Sequence, residues 1–294
     1  MIYGMNETDN FMQVEEDELA KYEKKKARAI RLLKNIPQDG PIEISYSGGK
    51  DSDVILELAK MAGIPFRAIY KNTTIDPPGT IRHVRSKGVE ILPPKMKFFE
   101  VVEMSGCPTR RARTCCSHLK EYKVLDRAVQ GIRRSESTKR AKRYSEPEIC
   151  RVYSKSERVK LYLPILDWTD SDVERFVKER GITCHPLYYD EQGNFHVERR
   201  LGCLGCPLQS DNGVEDYLKY PKLLKRLIKS AQKWLDTHPN AESHKKFGNA
   251  YNIVFHNLFC DSYEDYLIKT TDPLWGTTKD VRSFLEGYFK INLL

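Results

Sequence analysis

Hydrophobic and polar positions follow two periods along this chain, and the switches between them mark out a run of short elements. Residues 14–36 carry Leu19, Ala20, Tyr22, Ala27, Ile30, Leu32 and Leu33 at close to helical spacing among charged positions. This predicts a long amphipathic helix ending near Asn35-Ile36-Pro37. Pro41-Ile42-Glu43-Ile44-Ser45-Tyr46 then reads as a short buried strand, and Asp53 to Ala62 as a helix stopped by Gly63. Further strands are predicted at Phe66 to Tyr70, Glu90 to Leu92, Ala128 to Ile132 and Val159 to Pro164, with helices at Thr80 to Lys87 and Lys120 to Ala128. Thr169-Asp170-Ser171-Asp172 caps the start of another helix, which Gly181 stops. From Val214 onward the pattern is helical, most clearly over Tyr217 to Leu235, and no strand is predicted.

Strands alternating with helices imply βαβ units, and so an α/β domain with a mostly parallel sheet. The expected organisation is an N-terminal helical segment over residues 1–39, the α/β domain over 40–213 and a C-terminal helical appendage over 214–294. The charged stretch 134–158 comes nearest to a linker.

Composition narrows the class. With 294 residues, 40% of them hydrophobic, the chain can bury a real core, which argues against disorder. No run approaches the ~20 apolar residues that cross a bilayer, and the first residues lack an apolar signal core, so a cytoplasmic protein without a membrane partner is expected. The net charge of +8 is concentrated at Lys24 to Lys26 with Arg28 and Arg31, at Arg110 to Arg113, over residues 133–143, and from Lys219 to Lys233. The first and last clusters read equally well as solvated helix faces; the middle two point to an anionic partner. Eight cysteines without an export signal are not expected to form a disulfide framework.

Candidate chemistry gathers at three places. Ser45-Tyr46-Ser47-Gly48-Gly49-Lys50-Asp51-Ser52 joins a strand directly to a helix, which aims backbone N–H groups and a helix N-terminus at one point, as an oligophosphate requires. The glycines allow close approach, Ser47 and Ser52 offer hydroxyls, Lys50 a positive charge, and Asp51 a carboxylate to orient the loop or hold a magnesium ion. The spacing is not that of a Walker A loop. Cys115-Cys116 and Cys203-Leu204-Gly205-Cys206 supply four soft ligands. Adjacent cysteines do not readily share one tetrahedral ion but can bind two irons of a cubane, which favours a 4Fe-4S cluster over zinc or simple burial. Finally, Gly131-Ile132-Arg133-Arg134-Ser135-Glu136-Ser137, with Arg140 and Arg143 beyond, offers guanidinium groups to phosphate or sulfate oxygens.

The glycine loop resembles the PP-loop of the ATP pyrophosphatase and phosphoadenosine-phosphosulfate (PAPS) reductase superfamily. Arg113-Thr114-Cys115-Cys116-Ser117-His118-Leu119-Lys120 and Gly202-Cys203-Leu204-Gly205-Cys206-Pro207 are similar to the iron-sulfur signature of its adenylylsulfate reductases and DNA-phosphorothioation proteins. The arginine segment is similar to that family's as well, and the similarity runs over residues 40–210. The resemblance implies a Rossmann-like adenine nucleotide alpha hydrolase fold. It also implies a nucleotide, ATP or of adenylylsulfate type, held by Ser45, Ser47, Gly48, Gly49, Lys50, Asp51, Ser52, Lys120, Arg133 and Arg134, with Lys50, Asp51 and Arg133 as catalytic candidates. Asn72 to Thr80 is similar to a segment passing near the nucleotide, with Asp76 and Thr80 as weaker candidates. Trp168 and Tyr188 read as structural, and His83, His238, His244 and His256 show no ligand spacing.

The tail GYFKINLL lacks the cysteine that sulfonucleotide reductases use as nucleophile, and Cys260 is followed by acidic residues that disfavour a thiolate. The expected function is therefore ATP-dependent adenylation, releasing AMP and pyrophosphate, or sulfur transfer. Nucleic acid is the candidate acceptor, and a sulfur-donor or reductant protein a candidate partner. Reduction of a sulfonucleotide to sulfite and a non-catalytic nucleotide-binding subunit are the alternatives.

Overall fold

The structure, a computed structural model, describes residues 7–153, 157–273 and 277–293, with side chains from residue 16 onward. The chain forms two compact units that interleave along the sequence. The first takes the residues up to Lys71 together with Pro78–Leu92 and Lys123–Leu201; the second takes Asn72–Pro77, Pro93–Tyr122 and the residues from Gly202 onward.

The first unit is built on one sheet. Helix α1 (Glu7–Lys34) leads into strand β1 (Ile42–Tyr46), and β1 runs through the glycine loop into α2 (Lys50–Ala62). Strand β2 (Phe66–Lys71), helix α3 (Thr80–Ser86) and strand β3 (Glu90–Leu92) follow. The sheet order is β3-β2-β1-β4-β6-β5, with β4 at Arg127–Val129, β5 at Glu148–Val152 and β6 at Arg158–Tyr162. Every pairing is parallel except β5 with β6. This is the expected α/β fold with a mostly parallel sheet. Parallel strands bury both faces, and Ile42, Ile44, Val129 and Tyr162 pack against Ala29 and Leu33 of α1 and Val54, Ile55 and Leu58 of α2. Phe176 joins them from a later helix, 170–179. Each such side chain contributes ~1.5–3 kcal/mol on burial.

The second unit is helical among its described residues. Helix α4 (Phe98–Ser105) and α5 (Thr114–Leu119) come from the middle of the chain; α6 (Thr138–Arg143) and α7 (Asp170–Glu179) belong to the first unit. The rest of the second unit is α8 (Val214–Lys219), α9 (Pro221–Thr237), α10 (Glu242–Phe247), α11 (Ala250–Phe259), α12 (Tyr263–Thr270) and α13 (Val281–Phe289). Val101 and Val102 of α4 share a core with Leu224, Leu227, Ile228 and Ala231 of α9 and with Ile253 and Val254 of α11. No helix among the described residues is long and apolar enough to cross a membrane.

Two expectations change. The helix expected over Lys120 to Ala128 does not form. The Lys120 and Glu121 N–H groups both donate to the Cys116 carbonyl and close α5 early, and the Asp126 carbonyl accepts the Lys160 N–H, drawing the chain into the sheet. The stretch 134–158 holds a single 3-10 turn over residues 134–136, α6, the whole of strand β5 and the first residue of β6, so it is largely ordered structure rather than linker; its residues 154–156 lie outside the described set.

Candidate functional site

At the end of β1 the backbone turns sharply. Gly48 takes φ +83°, and a Cβ there would stand 3.2 Å from the Thr80 Cγ2 and 3.3 Å from the Leu201 Cδ2. On Gly49, whose φ of −83° any residue adopts, a Cβ would come 3.2 Å from the Tyr188 hydroxyl, so close neighbours crowd both positions and the turn itself favours glycine at Gly48. Gly49 is the N-cap of α2, and no side chain caps this helix. The Ser52 N–H already donates to the Gly49 carbonyl at 2.9 Å, which leaves the N–H groups of Lys50 and Asp51 without a backbone carbonyl partner and directed at an anion. The Ser52 hydroxyl donates to the Gly49 carbonyl at 2.7 Å and the Ser47 hydroxyl lies 3.4 Å from Ser52 Oγ, so both hydroxyls brace the loop. Ser45 instead donates to Glu43 Oε1 at 2.7 Å within the strand.

Lys50 is buried at the first helical position. Its ammonium lies over the Tyr188 ring at 5.4 Å from the centroid, 3.4 Å from the Arg199 carbonyl and 3.4 Å from Asp51 Oδ2. Asp51 Oδ1 accepts a hydrogen bond from Arg133 Nε at 2.7 Å. Arg133 is 1% exposed, and its remaining nitrogens donate to Ser135 Oγ at 3.0 Å, the Trp168 carbonyl at 3.5 Å and Asp170 Oδ1 at 2.8 Å. Arg134 spends its guanidinium on Asp167 and the Tyr144 and Ser145 carbonyls. Arg140 pairs with Glu136. The structure therefore brings Lys50, Asp51 and Arg133 together, with Arg133 acting on Asp51, and leaves Ser45 and Arg134 bonded elsewhere.

A buried network beside the loop had no local signal in sequence. Asp53, on α2, accepts the Tyr46 hydroxyl at 2.5 Å, and its Oδ2 lies 3.0 Å from His83 Nε2. His83 meets the His185 ring edge-on at 5.8 Å. Nδ1 of His185 accepts the Leu187 N–H, and its Nε2 lies 3.4 Å from Thr80 Oγ1. Burial and the neighbouring His83 hold the His185 imidazole below its usual range.

The second unit gathers the Cys115-Cys116 pair and the Cys203–Cys206 pair. Cys115, Cys116, Cys203 and Cys206 line one cavity of about 30 Å³ with Thr73, Leu119 and Lys120. Cys203 Sγ lies 3.8 Å from Thr73 Oγ1 and 3.7 Å from Asp76 Oδ1, and Asp76 itself accepts the Thr73 hydroxyl at 2.6 Å. Lys120 thus stands with the cysteines: desolvation pulls its ammonium down, but Cys203 and Asp76 outweigh this and push it up. The neighbouring Cys115 thiol holds the Cys116 thiol below its usual range; burial opposes this and Arg113 adds to it. Tyr217 donates to the Gly205 carbonyl at 3.4 Å and packs where a Cβ on Gly205 would fall, at 2.2 Å, so Gly205 fixes the turn between Cys203 and Cys206. The Thr114 hydroxyl, buried next to Cys115, has no partner. Among the described residues no three His, Cys, Asp or Glu side chains are arranged to hold one metal ion. Cys260 is elsewhere in this unit, in a helix C-cap, and burial pushes its thiol up to about 11, the opposite of an activated nucleophile.

A parallel α/β sheet whose first strand feeds a glycine loop and an uncapped helix defines a phosphate-binding class of domain. The family can be stated: residues 41–209 match the phosphoadenosine phosphosulfate reductase domain, and the chain belongs to that family. An uncharacterized protein of Methanocaldococcus jannaschii is 28% identical over 246 residues, covering 78% of this chain and 55% of that one. Sulfate adenylyltransferase subunit 2 of Shewanella pealeana is 25% identical over 213 residues, covering 60% of this chain and 69% of that one. The chain thus spans about half the length of the first of these relatives. Among solved structures, a phosphoadenylyl-sulfate (PAPS) reductase from Candida auris in a phosphate complex aligns with TM-score 0.43 and 16% identity, over 60% of this chain and 87% of that one.

Proposed function

We propose that this protein is an enzyme that binds an adenine nucleotide, ATP or of adenylylsulfate type, at residues 47–52 and uses it to adenylate a substrate or to support sulfur transfer. The observation that carries this reading is the uncapped N-terminus of α2 behind two glycines crowded by their neighbours. Lys50 adds the charge that a triphosphate needs, and Asp51, held by Arg133, keeps Lys50 in place. Both Asp51 oxygens already face cations, at 2.7 Å and 3.4 Å, so Asp51 is poorly suited as a magnesium ligand; a magnesium ion would arrive on the phosphates.

Cys115, Cys116, Cys203 and Cys206 are proposed to hold a 4Fe-4S cluster. Four thiols lining one cavity supply the soft donor set that such a group takes. When bound, the cluster supplies electron or sulfur chemistry; Lys120 and Arg113 lower the negative charge of the thiolates that hold it. Nucleic acid is the proposed acceptor, on the strength of the +8 charge.

The test is anaerobic purification followed by assay of AMP and pyrophosphate release from ATP, with and without DNA or tRNA. Iron and sulfide at about four each per chain, with AMP formation stimulated by nucleic acid, are expected. Colourless protein with stoichiometric zinc removes the cluster, and the absence of ATP turnover under these conditions removes the adenylation reading.

A further inference from the structure

The glycine loop is braced from within and from its flanks. Its serine hydroxyls bond within the loop, no side chain caps α2, and Asp51 with Arg133 braces only one side of the helix. Asp53 follows Asp51 by two positions and so leaves α2 on a different side. Its carboxylate is fully buried, and it bonds Tyr46, the last residue of the strand that enters the loop. One carboxylate therefore brackets the loop, tying the strand before it to the helix after it.

A buried carboxylate beside a site for phosphate is a problem of charge. Unless it is neutralised, it repels the ligand that the N–H groups attract. The groups facing it are the Tyr46 hydroxyl, the His83 imidazole at 3.0 Å, and the Lys87 ammonium at 3.8 Å; Cys184 and His185 lie beyond in the same network. His83 alone of the basic groups makes a hydrogen bond to it, and His83 also stands on the helix whose Thr80 and Val84 methyls border Gly48. We propose that His83 and Asp53 are positioning residues of the nucleotide site, with the His83 hydrogen bond and the Lys87 ammonium offsetting the Asp53 carboxylate so that the loop accepts an oligophosphate rather than repelling it. Neither residue touches the ligand; they act through Tyr46 and the first turn of α2. This rests on the nucleotide reading above.

The experiment compares ATP with adenosine, which offers the same base and sugar without phosphate, by ligand-observed NMR on the full-length protein. His83→Gln keeps a hydrogen-bond donor but cannot carry charge. It is expected to weaken ATP roughly tenfold while leaving adenosine unchanged. The double variant Asp53→Asn/His83→Gln removes the charge to be neutralised and is expected to recover ATP affinity to within about threefold of wild type. Lys87→Met leaves the buried hydrogen bonds intact and reads the same charge in a protein that folds normally; a few-fold loss for ATP alone is expected. Parallel losses for ATP and adenosine, or none for ATP in His83→Gln and Lys87→Met, overturn the proposal while leaving nucleotide binding standing. Wild-type protein that binds neither ligand overturns the nucleotide reading and this inference with it.

Discussion

Replacing Arg133 by glutamine separates a guanidinium that serves the ligand from one that serves the loop. The arginine is 1% exposed and reaches Asp51, Asp170, Ser135 and the Trp168 carbonyl, so every nitrogen has a protein partner. Removing one partner of a buried ion pair costs ~3–5 kcal/mol, because the other charge is stranded. Here the cost is smaller: Asp51 retains Lys50 at 3.4 Å, and the Asp170 side chain is 55% exposed, so solvent takes up much of its charge. A loss of about 2–3 kcal/mol follows, read as a lowered urea midpoint at unchanged slope. In a double-mutant cycle with Asp51→Asn the two changes should couple by about 1–2 kcal/mol, since they share one contact. Nucleotide affinity should fall too, as a consequence of the displaced loop. If Arg133→Gln unfolds like wild type while its nucleotide affinity collapses, the guanidinium binds the ligand directly and the positioning argument is wrong.

Gly131→Ala should destabilise by about 1–3 kcal/mol, because its Cβ would stand 2.8 Å from the Asp51 carbonyl oxygen; Gly40→Ala, with nothing within 4 Å, is the control in the same thermal melts. Gly205→Ala should lose most of the iron bound after anaerobic purification, since Tyr217 occupies the space of the new methyl, whereas Gly202→Ala, in open surroundings, should keep it. His196 is raised by its bonds to Asp190 and Glu198. A base raised on folding contributes stability that is complete below its unfolded pKa of about 6.5 and lost as pH rises through the folded value. The stability gap between wild type and His196→Gln should therefore be widest in acid and close above neutrality; a gap that widens with pH refutes the assignment. Replacing Cys203 by serine should abolish the brown colour of the anaerobic protein without changing ATP affinity, if the cluster and the loop are separable.

What was legible in the sequence was local. The run from Ile42 to Ala62 holds a strand, a two-glycine turn and a helix in consecutive residues, so period and turn chemistry alone locate it, and the structure has β1 and α2 there. Strand β5 was hidden because an edge strand alternating exposed and half-buried positions, Glu148-Ile149-Cys150-Arg151-Val152, reads as charged linker until β6 is known to pair with it. The expected helix at Lys120 failed for a similar reason: Asp126 gives its carbonyl to Lys160, a partner 34 positions away. The same distinction separates the parts of the candidate site. Lys50 and Asp51 announce themselves by motif. Asp53 and His83 are thirty residues apart in the sequence, and each taken alone is an ordinary polar residue on a helix; only burial turns the pair into a statement about charge. Arg133 was legible as a residue but not as a role. Its position in a basic segment suggested a ligand for oxyanions, whereas the geometry spends four of its five N–H donors on Asp51, Ser135, the Trp168 carbonyl and Asp170, which leaves one for a phosphate. The affinity of the loop for an anion then depends on backbone N–H groups, on Lys50 and on the neutrality of the charges packed behind it, which is why the stability of Arg133→Gln and the ATP-to-adenosine ratio of His83→Gln are the two measurements that bear on it most directly.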